Sequence, residues 1–217
     1  MKRAYLSLIA LIAISCGNIA ISPVEHALQS VVHMTGTPLV QGAPVSTNSD
    51  ADTMVWKQAE GRSYGCTAWA IDVRKFVTAA HCIGDNMMID GHPAFVIKQD
   101  ATLDLAVIVA DYVVPALTIR EAPLTREESA IGLGYGFSWK FPTITHHKVM
   151  MLDYTPLPND IPTPGTWFSF GFIGGMSGGP VIDDNGQVVG LVQRGSDVVG
   201  YGVSSATIFA FLATLQQ

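Results

Sequence analysis

The sequence predicts an all-β fold, built as two packed six-stranded antiparallel β-barrels with a C-terminal helix. Three observations carry that expectation. Short apolar runs recur along the chain, and Gly (21) and Pro (12) are plentiful enough to break each of them with a turn. The runs fall into two clusters of about six, separated by a polar, Pro-containing stretch near residues 112–128. After the second cluster, residues 206–215 carry apolar side chains at helical spacing. Composition narrows the class further. Apolar residues make up 48% of the 217 and charged residues 14%, which is ample apolar surface to offset the entropy of ordering and excludes a disordered chain. Twelve Lys and Arg stand against 18 Asp and Glu, a net charge of −6, a balance that argues against a nucleic-acid binder, which normally shows a basic stripe or patch to neutralise phosphates.

The N-terminus has the layout of an export signal. Lys2 and Arg3 precede an apolar run over residues 6–14 that only Ser7 interrupts. The expected location is therefore outside the cytoplasm: periplasmic, envelope-anchored or secreted. Cys16 follows Ile12-Ala13-Ile14-Ser15, a segment that resembles a bacterial lipobox and marks Cys16 for lipidation, with Ala13 standing where Leu is commonest. Cleavage after Ala20 and an uncleaved anchor are the alternatives. Residues 1–22 are thus read as signal peptide or lipoprotein anchor, the route for any membrane attachment. Residues 23–53 are read as a spacer, with a short helix over 23–34 and a Thr, Ser, Pro, Gly and Asn-rich stretch over 35–52. The globular domain is expected over 54–217, and no later segment has the apolar length to span a bilayer.

Within it, each element has a local reason. Residues 64–71 and 76–78 are apolar and flank the polar turn Asp72-Val73-Arg74-Lys75, which predicts a hairpin. Short apolar runs at 87–89, 95–98 and 105–110 are further strand candidates of the first barrel, expected over about residues 54–112. After Pro115 and the polar stretch 125–129, further runs lie at 130–134, 148–152, 166–170, 179–182, 188–192 and 200–203. They predict a second barrel over about residues 128–205, followed by the helix over about 206–215.

Three segments carry chemistry. Thr78-Ala79-Ala80-His81-Cys82 places a histidine after a buried strand. Leu103-Asp104-Leu105-Ala106-Val107 places a carboxylate at the start of the next apolar strand. Gly174-Gly175-Met176-Ser177-Gly178-Gly179-Pro180 sets a serine in a glycine-rich turn. A serine hydroxyl is a weak nucleophile until an imidazole accepts its proton, and the imidazole needs a carboxylate to fix its tautomer and stabilise its cation. The glycines allow a tight turn in which the amides of Gly175 and Ser177 converge on a developing oxyanion. Taken alone, His81 reads as a core histidine, Asp104 as a strand cap and Ser177 as a turn serine; the combination and order argue otherwise.

In the order His, Asp, Ser, these segments resemble the chymotrypsin-like (trypsin-like) serine proteases, of the compact bacterial and viral type. The resemblance covers most of residues 54–210. It implies an exported serine endopeptidase acting through an acyl-enzyme, with Ser177 as nucleophile, His81 as general base and then acid, and Asp104 as the orienting carboxylate. Gly175 and Ser177 would donate to the oxyanion. It also implies a disulfide between Cys66 and Cys82, sixteen residues apart, contributing roughly 3 kcal/mol by constraining the unfolded chain. By the same analogy Gly171, Phe172 and Ile173 and the strand Gln193-Arg194-Gly195 bind the substrate. Gly171 falls at the pocket base, where an acidic residue would select Lys or Arg, so the expected preference is for an apolar or small side chain.

The chain departs from the zymogen-activated branch of the family in two ways. Met176 stands where that branch has an Asp that pairs with a freshly cut N-terminus, and the Ile-Val-Gly-Gly start is absent. The oxyanion loop is therefore expected to be held by packing. Asp85, Asp90, Asp100 and Asp111 are rival acids, but only Asp104 has apolar neighbours that bury it under an imidazole. His146-His147 reads as a polar connection and His92 as a turn. No metal or organic cofactor is implied, since two cysteines without a Cys-x-x-Cys pair give no zinc signal. The expected partner is a peptide or protein substrate, not nucleic acid, and the sequence leaves the oligomeric state open. The rival readings are a catalytically inactive protease-fold binding module and an esterase; the serine motif is not the Gly-x-Ser-x-Gly elbow of the latter.

Overall fold

A computed structural model describes residues 21–37, 64–136, 141–154, 165–195 and 198–215. Helix α1 (Pro23–Leu28) leads into strand β1 (Val31–Thr37). Strands β2 (Tyr64–Asp72), β3 (Lys75–Thr78), β4 (Asp85–Ile89), β5 (His92–Asp100) and β6 (Leu105–Ala110) follow. The second half holds β7 (Ser129–Gly134), β8 (Thr143–Tyr154), β9 (Gly165–Ser169), β10 (Pro180–Ile182), β11 (Val188–Gly195), β12 (Val199–Ser204) and helix α2 (Ser205–Ala213). These close into two antiparallel barrels, β1-β2-β3-β6-β5-β4 and β10-β11-β12-β9-β8-β7, each of six strands, as the sequence predicts. Among the described residues no helix is long and apolar enough to cross a membrane.

The expected spacer over 23–53 needs correction. Ser22 and Glu25 form a capping box with Pro23 at the first turn, so a helix does begin there, but it ends at Leu28. Val31-Val32 then switch the chain to a strand, where β-branched side chains pack better, with the alternating burial that a half-buried strand shows. β1 pairs with β2 through Val31↔Trp69 to Gly36↔Tyr64 and with β4 through Met34↔Ile89, so it closes the first barrel. Without β1 both neighbours would present open edges. The domain thus begins ahead of residue 54; positions 1–20 with Cys16, and 38–63, lie outside the described residues.

Three histidines also differ from expectation. His146 and His147 lie on β8, opposite Ile131 and Ala130 of β7, and His147 is buried. His92 opens β5 and stacks on Tyr112, ring centroids 4.9 Å apart.

The barrels share one core. Trp69, Phe76, Ile89 and Ile108 of the first pack in a cluster continuous with Leu133, Ile182, Leu191, Ile208 and Phe211 of the second. Phe168, Phe172, Met176, Val181 and Val192 form another cluster inside the second barrel. The connection between barrels is pinned by Arg120, whose guanidinium donates to Glu128 and to Asp183 (3.2 Å). The Arg120 bonds outweigh burial and hold the Glu128 carboxyl down to about 2. A depressed carboxyl stabilises the fold fully above its ordinary value of 4.5, and that contribution is lost as pH falls through about 2. Glu128→Gln should therefore lower the thermal midpoint at neutral pH, with the gap to the parent closing as pH falls from 4.5 to 2. Melts followed by circular dichroism check this, and a gap that does not change with pH would contradict it.

Candidate active site

His81 lies in a single 3-10 turn, Ala80–Cys82, directly after β3. Three contacts fix that turn. Cys82 is disulfide-bonded to Cys66 on β2, with 6.2 Å between the Cα atoms, as the family resemblance implied. The Ala80 amide donates to the Asp104 carbonyl (3.1 Å), and Gln99 Nε2 donates to the Ala80 carbonyl (3.3 Å).

Asp104 precedes β6 in the left-handed region (φ 54°), which aspartate tolerates better than most residues. Asp100 Oδ1 supports the turn by accepting from the amides of Thr102 (2.8 Å) and Leu103 (3.0 Å). This geometry aims the Asp104 carboxylate at His81 twice. Oδ1 accepts from the His81 amide (2.9 Å), and Oδ2 pairs with imidazole Nδ1 (2.8 Å). Burial pushes the Asp104 carboxyl up, but hydrogen bonds from the His81 ring and amide and from the Gln193 side chain outweigh it, leaving the carboxyl below its ordinary value. An ionised carboxylate at Nδ1 selects the Nδ1–H tautomer and leaves Nε2 with its lone pair. The Asp104 side chain is 13% exposed and that of His81 47%, so the acid is sheltered while the imidazole faces the solvent side.

Ser177 sits in the turn between β9 and β10. Gly175 has φ 96°, and the Met176 amide donates to the Ile173 carbonyl (3.0 Å). With positive φ at the third position only, this is a type II turn, which glycine at that position makes accessible. The Ser177 carbonyl accepts from the Thr67 amide (2.9 Å) and lies 3.7 Å from Sγ of Cys82, the residue after His81. The Ser177 loop is thereby seated on the same turn that carries His81. The Ser177 hydroxyl donates to the Gln193 carbonyl (3.3 Å). Met176 is fully buried in the second-barrel cluster, consistent with a loop held by packing.

Residues expected to line the substrate pocket lie close together. A Cβ on Gly195 would stand 3.1 Å from the Phe172 carbonyl oxygen, so the strand end rests directly on the backbone at residue 172. The Phe172 ring fills the space between Gly132 and Gly200, where added Cβ atoms would fall 2.8 and 2.6 Å from its carbons. His147 packs against that ring with centroids 4.5 Å apart. Its Nδ1 donates to the Ser169 carbonyl (2.6 Å) and its Nε2 accepts from the Thr145 hydroxyl (2.7 Å), and burial holds its pKa down, so it is a neutral, satisfied core histidine. Arg194 is exposed, while Gln193 is buried with its side chain on Asp104. The sequence marks Gln193 only as part of the expected substrate-binding strand, and nothing in it marks the Gln193 side chain or Thr67.

The family model of the trypsin-like peptidase domain matches residues 66–191, a span that holds His81, Asp104 and Ser177. No curated protein sequence gives a match. Among solved structures, the chain resembles the active form of the Rv3671c protease from M. tuberculosis, at TM-score 0.71 and 20% identity over 88% of this chain and 82% of that one. The inactive form of the same protease superposes at TM-score 0.67 and 21% identity over 88% and 91%. The HtrA-type protease AlgW with tripeptide gives TM-score 0.66 and 18% identity, with 89% of this chain spanning 61% of that one. At these identities the likeness shows the fold.

Proposed function

The chain belongs to the trypsin-like peptidase domain family and is a serine endopeptidase, and we propose that Ser177, His81 and Asp104 carry its reaction. One observation supports this most: the Asp104 carboxylate meets both the amide and Nδ1 of His81, on the turn against which the Ser177 backbone is seated. His81 Nε2 takes the proton from the Ser177 hydroxyl as Oγ attacks the scissile carbonyl carbon. The imidazolium formed is stabilised by Asp104, and the oxyanion is received by the amides of Gly175 and Ser177. His81 then delivers the proton to the departing amine, leaving an acyl ester on Ser177. Water, deprotonated by the same Nε2, attacks that ester and restores the free serine. Gln193 steadies both ends, through its carbonyl on Ser177 and its side chain on Asp104. No activating cut is required in this reading, because Met176 cannot form the ion pair that such a cut would supply.

The proposed site of action is outside the cytoplasm, with the N-terminus as signal or lipid anchor. The charge and apolar run of residues 2–14 and the Cys66–Cys82 disulfide both suit an oxidising compartment. Primary specificity follows from the closed slot. With Gly195 resting on residue 172 and the Phe172 ring between Gly132 and Gly200, the pocket accommodates Gly, Ala or Ser before the scissile bond and excludes Arg, Lys and Phe. Profiling with a peptide library should show kcat/KM for small residues exceeding that for Arg or Phe by about a hundredfold, the scale of a poorly accommodated side chain. A preference for large or basic residues would contradict the closed slot.

A further inference from the structure

Thr67 belongs to the first barrel, yet three of its hydrogen bonds reach into the second. Its amide donates to the Ser177 carbonyl (2.9 Å). Its hydroxyl donates to the Gly175 carbonyl (2.9 Å) and accepts from the Tyr135 amide (2.9 Å). A fourth, from the Thr78 hydroxyl to the Thr67 carbonyl (2.8 Å), fixes Thr67 to its own barrel. The side chain is fully buried, so its rotamer and both bonds of the hydroxyl are held by packing. Gly134 leaves room for it: a Cβ there would come 2.9 Å from Thr67 Oγ1.

The turn thus receives a clamp on either side of Met176. Glycine has the least intrinsic preference for one backbone state, and a type II turn interconverts with type I by flipping its middle peptide. That flip would swing the Gly175 amide away from the position it needs to donate. The fixed Gly175 and Ser177 carbonyls hold the peptides that follow those two residues, so a flip of the peptide before Gly175 cannot be relieved by movement of the segment after it. Met176 brings no charge to do this.

We propose that the Thr67 hydroxyl is the positioning group that holds the oxyanion turn in its donating form. The proposal rests on the reading above that the amides of Gly175 and Ser177 receive the oxyanion. A hydroxyl with this role acts on the transition state more than on substrate binding, which separates it from a hydroxyl that only supports the fold.

The test uses the full-length chain and its Thr67→Val, Thr67→Ser and Thr67→Ala variants. Turnover of one peptide substrate is measured beside the affinity of a peptide boronic acid, which forms a tetrahedral adduct on the serine. Thr67→Val keeps the shape and removes the hydroxyl, so kcat should fall by about tenfold to a hundredfold, as when an oxyanion contact is weakened, with KM little changed. Boronate affinity should fall by the same factor, and Thr67→Ser should restore both. Should the valine variant fail to fold, alanine against serine decides, with equal kcat for those two overturning the proposal. It is also overturned by a valine variant whose melting temperature drops while kcat and boronate affinity stay at the parent's values. A parent that neither turns over nor binds the boronate overturns both the proposal and the reading beneath it, whereas an active parent with unaffected variants overturns the role of Thr67 alone.

Discussion

Ser177→Ala should lower turnover of a peptide substrate by on the order of 10⁶-fold, because the members of a nucleophile and base pair act as one unit. The change removes one oxygen whose hydrogen bond in the structure is to the Gln193 carbonyl at 3.3 Å. The backbone contacts that seat the loop, from Thr67 to the Ser177 carbonyl and from Gly178 to the Val192 carbonyl (2.8 Å), remain. The variant should therefore fold, bind substrate with KM near the parent's, and fail only at the bond-forming step. Steady-state kinetics beside a thermal melt check this. A variant that keeps ordinary activity would remove Ser177 from the mechanism, and the triad with it.

Asp104→Asn should cost on the order of 10⁴-fold in kcat, the scale of placing the wrong tautomer at a catalytic imidazole. Asp104 offers two acceptor oxygens, one to the His81 amide and one to Nδ1. Asparagine offers one acceptor and an NH₂ group. If its oxygen keeps the amide of His81, the NH₂ faces Nδ1, the ring proton moves to Nε2, and the base is lost. Three of the four rival acids have partners elsewhere. Asp111 pairs with Arg74 (3.1 Å), Asp90 accepts from the His33 amide (3.1 Å), and Asp100 supports the turn before Asp104 through Oδ1. Asp100→Asn retains that acceptor and should stay within about threefold of the parent, since it touches no reacting atom. The reverse pattern in the two variants would move the acid to Asp100.

Most of the fold was legible because each strand after residue 64 announces itself locally. The run Leu105–Ala110 is apolar throughout and matches β6 residue for residue. β1 was not legible. Its signals compete with a helix-capping sequence just before it, and its purpose, bridging β2 to β4, appears only when the barrel closes. A truncation at residue 50 or 54, natural from composition alone, would delete that strand. β8 was read too short because His146-His147 looked polar. His147 is buried there only because Ser169 and Thr145 meet both ring nitrogens.

The site divides the same way. His81, Asp104 and Ser177 stand out in the sequence because their residue types and immediate neighbours suggest the chemistry proposed for them. Thr67 was invisible because its partner Gly175 is 108 residues away, and nothing around Cys66-Thr67-Ala68 marks a hydroxyl with a task. The Gln193 side chain was hidden likewise, since strand alternation does not say which side chain reaches a carboxylate on the other barrel. The close approach of Gly195 to residue 172 was not legible, since it depends on the absence of side chains at Gly132, Gly195 and Gly200, which lets the strands and the Phe172 ring come together.

Ser177 is proposed to be an armed nucleophile without further processing. Intact mass of the purified full-length chain after exposure to a serine-directed fluorophosphonate, beside Ser177→Ala, tests this. One adduct on the parent and none on the variant is the expected result. A folded parent that gains no adduct, with the Cys66–Cys82 bond intact, would contradict it and turn the protein into a binding module with a silent site.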